Sequence, residues 1–367
     1  MKTLLIVYHD LYYEVRSEEL LKLLKLYGEV VLVSYANYND AKVKCICNPK
    51  GEKGILTFLR NSLHAIKVEK PDMILLHDDY PMILVPYIKH HLPESIIIHD
   101  SSELRLINEK KDGSGIKSVV AKYFRYFEKW YTKKVDVVIA ANDERAEIMK
   151  EYCDLKRKPI VYGNIHKIEC EYDADECEKK FEGYFDDSSF VALYAGGIAE
   201  KRLTYTMVRQ IGALSENYKL LIVGSVENGG EAKLEHIISN NNIKNVFYLG
   251  FVTRAELKYL FEKSHVSISA FAFDTVNNIN CASGKAYEGL FLGKPLLAGI
   301  NPPLKRMCEV YGIGESTEDF AAGLQKLEER YDDYIRNVEE YIKKIDFDNR
   351  IANLKIEIDN VLHNKSG

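Results

Sequence analysis

Several features that would place this 367-residue chain in a large functional class are missing from it. No glycine occurs between Tyr8 and Gly28. A dinucleotide-binding domain carries G-x-G-x-x-G there, to make the tight turn and bring the backbone close to a pyrophosphate, so its absence argues against a dehydrogenase. No apolar run approaches the roughly 20 residues of a membrane span. The opening MKTLLIVYHD has too short an apolar run for a signal peptide and reaches His9 and Asp10 at once. There is no excess of basic charge: the net charge is −5, which argues against a general nucleic-acid binder. The seven cysteines (Cys45, Cys47, Cys153, Cys170, Cys177, Cys281 and Cys308) are odd in number and form no C-x-x-C. They read as reduced thiols of a cytosolic protein, and no metal is expected. No solenoid-type repeat is visible.

What is present is an α/β pattern that occurs twice. Strands are expected at 4–8, 30–34, 73–76, 95–99, 135–140 and 159–161, with helices at 17–27, 56–68, 82–90, 116–134 and 144–152. The strands are rich in Ile, Val and Leu with little polar alternation, which suits a parallel sheet buried on both faces. The acidic stretch GNIHKIECEYDADECEKKFEGYFDD, 163–187, breaks the pattern and reads as a connector with one short helix. Alternation resumes with strands at 190–194, 218–223, 246–249, 266–269 and 296–298, and helices at 204–214, 233–240, 254–263 and 285–292. Helices follow to the end, including 334–345 and 349–363. The domains are therefore placed at 1–165 and 189–330, with a connector at 166–188 and C-terminal helices at 331–367 that cross back toward the first domain. Ligands of open α/β sheets sit beyond the carboxyl ends of the strands, so each polar loop after a strand is a candidate site.

The stretch SGKAYEGLFLGKPLLA, 283–298, places Ser283, Gly284 and Lys285 at a helix start. Gly293 and Pro295 end that helix. Free N–H groups and a lysine attract an anion, typically phosphate. Glu288, about one turn deeper, suits the hydroxyls of a group attached to that phosphate. The alternative is a solvated lysine with an acid serving the helix dipole. In AGGIAEKRL, 195–203, Gly196 and Gly197 allow close backbone approach, and Lys201 and Arg202 follow. Two basic, glycine-bearing loops in one domain would enclose a diphosphate. In GFVT, 250–253, Thr253 reads as a helix cap and the backbone suits a nucleobase edge. In the first domain, YHDLYYEVRSEE (8–19) offers His9, Asp10 and Arg16, while HDDYP (77–81) and HDSSELR (99–105) each put His and Asp at a strand end. No metal-ligand spacing follows from these, and they also read as residues that fix their own loops.

Together these segments resemble the retaining nucleotide-sugar glycosyltransferases of family 4, over nearly the whole chain. IIIHDSSEL is similar to the strand and loop that carries an Asp-x-His-Glu-Leu motif. VALYAGGIAEKRL, KLLIVGS, NVFYLGFVTRAEL and SGKAYEGLFLGKPLLA are similar to the donor-domain segments in order and spacing. The resemblance implies the GT-B fold, an α/β architecture of two Rossmann-like βαβ domains facing a cleft, with a helical C-terminal tail. It implies that Glu288 holds the donor ribose, that Arg202 binds the diphosphate assisted by Lys285, and that Gly196, Gly197 and Lys201 lie under the phosphates. Gly250, Phe251 and Val252 would pack the base, Asn280, Ser283 and Gly284 would line the donor, and His9, Asp10, His77, Asp100, Ser102 and Glu103 would face the acceptor. Three positions depart from the pattern: Asn280 where the family often has a second glutamate, Gly197 where it often has arginine, and Ser102 where it has histidine. The departures leave two further readings, a non-hydrolysing sugar-nucleotide epimerase and an inactive GT-B partner protein.

The implied substrate is a nucleotide-diphosphate sugar, UDP- or GDP-linked, with no separate cofactor. The acceptor is a glycan or a lipid-linked glycan of surface polysaccharide or glycoconjugate assembly. Residues 113–134, GSGIKSVVAKYFRYFEKWYTKK, carry an apolar stripe (Val120, Phe124, Phe127, Tyr131) and a basic one (Lys122, Arg125, Lys129, Lys133), with Glu128 the only acid. A basic, aromatic amphipathic helix can lie on an anionic membrane surface, so 115–134 is a candidate for peripheral contact at the inner face of the membrane of a cytoplasmic protein. The alternative is that the aromatics are core and the basic face is solvated.

Overall fold

A computed structural model of the chain describes residues 1–12, 14–49, 52–104, 116–227, 230–281 and 284–364. It divides into two compact units: Met1–Asn164 with Phe347–Gly367, and Ile165–Asp346.

Among the described residues each unit contains one wholly parallel sheet. In the first unit the strands are β1 (Lys2–Ile6), β2 (Glu29–Ser34), β3 (Val43–Cys47), β4 (Met73–His77), β5 (Ile96–Ser101), β6 (Val137–Ala140) and β7 (Ile160–Val161), in the order β3-β2-β1-β4-β5-β6-β7. In the second they are β8 (Phe190–Ala195), β9 (Tyr218–Val223), β10 (Val246–Tyr248), β11 (Val266–Ser269), β12 (Leu296–Ala298) and β13 (Gly314–Ser316), in the order β10-β9-β8-β11-β12-β13. The two orders are the same Rossmann-like winding. In each, strand order reverses between the first strand and the fourth, β1/β4 and β8/β11. A doubly wound sheet opens its ligand crevice at the carboxyl ends of such a pair.

Side chains of successive strand residues point to opposite faces. Leu5, Leu75 and Ile98 therefore enter one core of the first unit, and Leu4, Ile6, Ile74, Leu76 and Ile97 the other. In the second unit Ala192 and Tyr194 face one core, Val191 and Leu193 the other. Every residue of β4 (MILLH) and β8 (FVALYA) is buried, which is why these strands show no polar alternation.

Two strands lie outside the sequence expectation, β3 and β13. β3, VKCIC, pairs only with β2 at the sheet edge and is mostly half-buried, so it lacks the continuous apolar signature of its neighbours. β13 has three residues. The helix expected at 82–90 begins as a 3-10 turn, Tyr80–Leu84, and continues as α-helix Val85–His91. The stretch expected as a connector carries the helix Ala174–Phe181 and belongs to the second unit. The last helix, Arg350–His363, packs on Val15–Lys25 in the first unit. Arg350 pairs with Glu19 at 3.0 Å there, and the Tyr27 hydroxyl donates to Asp359 at 2.9 Å. All seven cysteines are free thiols.

Candidate functional site

In the second unit, the carboxyl ends of three neighbouring strands meet through glycine. Gly196 N–H donates to Val223 O at 2.9 Å, and Gly224 N–H to Gly250 O at 2.9 Å. Gly224 has φ +137°, and a Cβ there would lie 2.0 Å from the Gly196 carbonyl oxygen. Only glycine allows that approach. The Tyr194 hydroxyl donates to Gly197 O at 2.9 Å and that of Tyr248 to Gly224 O at 3.1 Å, which fixes the loop from the sheet side. Beyond it a single 3-10 turn, Glu200–Arg202, leads through Leu203 in the left-handed region to the helix Thr204–Ile211.

That turn presents Arg202. Its guanidinium lies over the Phe271 ring, 4.5 Å from the centroid. Among the described residues no carboxylate pairs with it. Phe271 follows β11 and is itself clamped: Asn301, fully buried, accepts from Phe271 N–H at 3.1 Å and donates to its carbonyl at 3.1 Å. Ala272 N–H donates to Lys201 O at 3.0 Å, tying the loops after β8 and β11 together at the switch point. The Lys201 ammonium pairs with Glu227 at 2.5 Å. Among the described residues the arrangement holds Arg202 in place without a carboxylate to neutralise it.

Glu288 lies in the helix Gly284–Phe291 and is 1% exposed. Its two oxygens take different cations, Lys285 at 2.8 Å and Arg254 at 3.3 Å. Lys285 is thus engaged with Glu288 rather than standing apart at the helix start. Arg254 was not singled out from the sequence. It is the first residue of the helix Arg254–Lys263, after a capping box in which Glu256 N–H donates to Thr253 Oγ1 at 3.2 Å and Thr253 N–H to Glu256 Oε2 at 2.7 Å. Arg254 also donates to Lys167 O at 3.1 Å. A cation in the first turn opposes the helix dipole. Two helices here each begin with one, and that shared anomaly was the available signal.

The other donor-side candidates fall as follows. Gly284 packs on His166, where a Cβ would lie 2.3 Å from Nδ1. Gly250 is left-handed at φ +71°, Val252 packs into the core with Phe247 and Leu249, and Phe251 is 84% exposed. Asn280 is buried and its amide donates to Val276 O at 2.9 Å. Ser283 lies outside the described residues.

The acceptor-side candidates gather at the carboxyl end of the first unit's sheet. Arg16, expected as a residue of an open loop, is buried and structural. Its Nε donates to Asp100 at 2.8 Å, Nη2 takes the other carboxylate oxygen, and Nη1 donates to Tyr162 O at 2.6 Å and Asn164 Oδ1 at 2.8 Å. Asp100 also binds His77 Nδ1 at 2.7 Å. Burial alone would push the Asp100 carboxyl up; Arg16 and His77 outweigh it and bring it down to about 2. Burial would lower His77, but the charge of Asp78 and the hydrogen bond to Asp100 raise it to about 9. His99, one residue away, has burial as its largest influence and falls to about 4. His9 approaches Asp78 at 3.4 Å, and Ser102 donates to Asp78 Oδ1 from its N–H at 3.1 Å and its hydroxyl at 2.8 Å. His9, His77, Asp100 and Ser102 are therefore brought together, with Asp78 as the hub. Asp10 instead accepts from Tyr12 N–H at 3.1 Å within its own loop, and the Glu103 side chain is exposed.

The helix Ile116–Thr132 divides its aromatics between two faces. Phe124 is buried, and Phe127 and Tyr131 are partly so; the Val120 side chain lies outside those described. Glu128 is buried too and accepts from the Ser101 hydroxyl at 3.3 Å. The outer face carries Tyr123, Tyr126 and Trp130, which are 56%, 57% and 48% exposed. Beside them a groove of about 540 Å³ is lined by Lys122, Arg125, Lys129 and Lys133. No helix among the described residues is long and apolar enough to cross a membrane.

No family model matches the chain. No curated protein matches it by sequence. Its architecture does match solved structures. A sucrose-phosphate synthase from Thermosynechococcus elongatus aligns over 99% of both chains with TM-score 0.77 and 12% identity. HepE of Anabaena, solved with UDP-glucose, aligns over 99% of this chain and 100% of its own, with TM-score 0.71 and 13% identity. A UDP-GlcNAc 2-epimerase from Neisseria meningitidis, bound to UDP-GlcNAc, covers 99% and 100% with TM-score 0.58 and 15% identity. At these identities the likeness is one of fold. The chain thus has the GT-B architecture of two Rossmann-like units.

Proposed function

We propose that the protein is a retaining glycosyltransferase. It moves a sugar from a UDP- or GDP-linked donor to a glycan or lipid-linked acceptor in surface polysaccharide or glycoconjugate assembly. The observation that carries this reading is Arg202, held by Phe271 beside a glycine-lined strand end and, among the described residues, left without a carboxylate partner. A fixed, unneutralised cation at the carboxyl edge of a doubly wound sheet suits a diphosphate. HepE, solved with UDP-glucose on the same fold, supports a nucleotide-sugar ligand.

In this reading the donor diphosphate lies over Gly196 and Gly197 against Arg202. Glu288, oriented by Lys285 and Arg254, accepts hydrogen bonds from the ribose hydroxyls. Breaking the sugar–phosphate bond increases the negative charge on the leaving diphosphate. Arg202 and the start of the helix Gly284–Phe291 stabilise that charge without rearranging, the preorganised effect that usually contributes most, and Lys285 assists from its place beside Glu288. The leaving phosphate receives the acceptor's proton, so no protein base is required. Tyr123, Tyr126 and Trp130, beside Lys122, Lys129 and Lys133, support contact with an anionic membrane carrying a lipid-linked acceptor. That reading places a cytoplasmic protein at the inner membrane face.

The test is thermal shift with a panel of nucleoside diphosphates and nucleotide sugars, with Glu288→Gln and Glu288→Ala alongside. The expected result is a shift with one nucleotide, weakened in both variants. No shift with any of them would refute the donor site and favour an inactive partner protein. The epimerase fold also matches, and isomerisation of free donor without an acceptor would establish that activity instead.

A further inference from the structure

The first unit holds a constellation that donor binding does not use. β1 and β4 are the adjacent strands at which strand order reverses, and each delivers a histidine to the carboxyl edge. His9 follows β1, and His77 is the last residue of β4. Asp78 comes next with φ +59°, a left-handed conformation that aspartate tolerates better than most residues. This turn divides its carboxylate. Oδ1 accepts from Ser102 N–H and hydroxyl, while Oδ2 lies 3.4 Å from His9 Nε2 and 3.7 Å from His77 Nε2.

His77 Nε2 is the telling atom. It is fully buried and, among the described residues, has no hydrogen-bond partner; 3.7 Å to Asp78 is too long for one. Such orphaned buried atoms are rare and require an explanation. The ring is nevertheless held firmly from its other side. Nδ1 meets Asp100 at 2.7 Å, and Arg16 binds both oxygens of that carboxylate. An ionised carboxylate only accepts, so Nδ1 carries a proton toward Asp100, and in the neutral form of the ring the lone pair sits on Nε2. A histidine whose far nitrogen donates to a carboxylate is the arrangement that orients imidazole toward a metal. Ligand atoms bound tetrahedrally at zinc-type bond lengths stand about 3.3–3.4 Å apart. The two separations from Asp78 Oδ2, 3.4 and 3.7 Å, are close to that, and all three ligand atoms lie within 4.8 Å of one another.

We propose that His9 Nε2, His77 Nε2 and Asp78 Oδ2 bind a divalent transition-metal cation of the zinc class. Its fourth coordination position opens into the cavity of about 260 Å³ that these residues share with Tyr8, Tyr35 and Tyr80. Three protein ligands with one open position is the donor count of reactive rather than structural zinc sites. Lys53, which also lines this cavity, places its ammonium over the Tyr35 ring at 5.5 Å. Binding displaces any proton on Nε2, so uptake of the ion releases protons. The site is independent of the donor reading, since it lies wholly within the first unit.

The test is titration of the full-length, metal-stripped protein with Co²⁺, read by visible absorption, then displacement by Zn²⁺ with elemental analysis after dialysis. One ion per chain and an intense tetrahedral-type cobalt spectrum are expected. His9→Ala, at a partly exposed position, and Asp78→Asn, which keeps a left-handed-tolerant residue and the Ser102 contact, should each weaken binding by about tenfold or more. Unchanged far-UV circular dichroism confirms that both variants fold. Absence of stoichiometric uptake by the wild type overturns the proposal. So does one ion per chain in both variants with undiminished affinity, which would place the metal elsewhere.

Discussion

Replacing Arg16 by methionine should damage the first unit more than any exposed substitution. Arg16 is 1% exposed and uses Nε, Nη1 and Nη2 on Asp100, Tyr162 O and Asn164. Methionine fills much of the volume but leaves the Asp100 carboxylate buried with His77 alone and removes the donor to Tyr162 O. Breaking a buried pair from one side typically costs about 3–5 kcal/mol, against a whole stability of about 5–15 kcal/mol. The assay is urea unfolding followed by fluorescence, with Asp100→Asn and the double variant completing a cycle. Asparagine has no charge to leave uncompensated, so the double variant should be less destabilised than the sum of the singles. The pH dependence gives a second reading. The folded-state pKa of Asp100 is depressed to about 2, so its contribution is present above the ordinary carboxylate pKa and is lost as pH falls from about 4 through 2. That contribution is about 2–3 kcal/mol in the wild type and should shrink in Arg16→Met, where the main lowering influence is gone. A loss below about 1 kcal/mol on Arg16→Met, or an unaltered acid limb, would refute the reasoning.

Two further outcomes follow from the same structure. Gly224→Ala forces a side chain to within 2.0 Å of the Gly196 carbonyl at φ +137°; it should cost at least about 1–3 kcal/mol in thermal unfolding and abolish any nucleotide-induced shift, because the strand ends it joins must separate. Tyr126→Ser with Trp130→Ser removes two exposed rings; it should reduce flotation with anionic vesicles while leaving the unfolding midpoint within about 0.5 kcal/mol of wild type, and wild-type failure to float would end the membrane reading.

Much of the fold is legible along the chain because parallel strands buried on both faces advertise themselves. β4 and β8 are continuous apolar runs, and glycine and proline mark the end of the helix before β12. The edge strand β3 escapes notice because half-burial dilutes its apolar signal. Local chemistry offers Gly196, Arg202, Lys285 and Glu288 as candidates for one site, since two glycine-bearing, basic strand-end loops occur in one unit. The partners of these residues are another matter. Arg254 reaches Glu288 across 34 residues, Arg16 reaches Asp100 across 84, and His9 meets Asp78 across 69. Nothing in the linear spacing of those residues specifies a contact. The two α/β units and the candidate residues at the ends of their strands are readable from the chain alone. Tertiary packing sets which cation neutralises which carboxylate, that among the described residues Arg202 has no carboxylate partner while Lys285 has one, and that two histidines and an aspartate converge. The physical reason is that strand order and register, set by packing the whole sheet, bring the carboxyl ends of non-consecutive strands side by side.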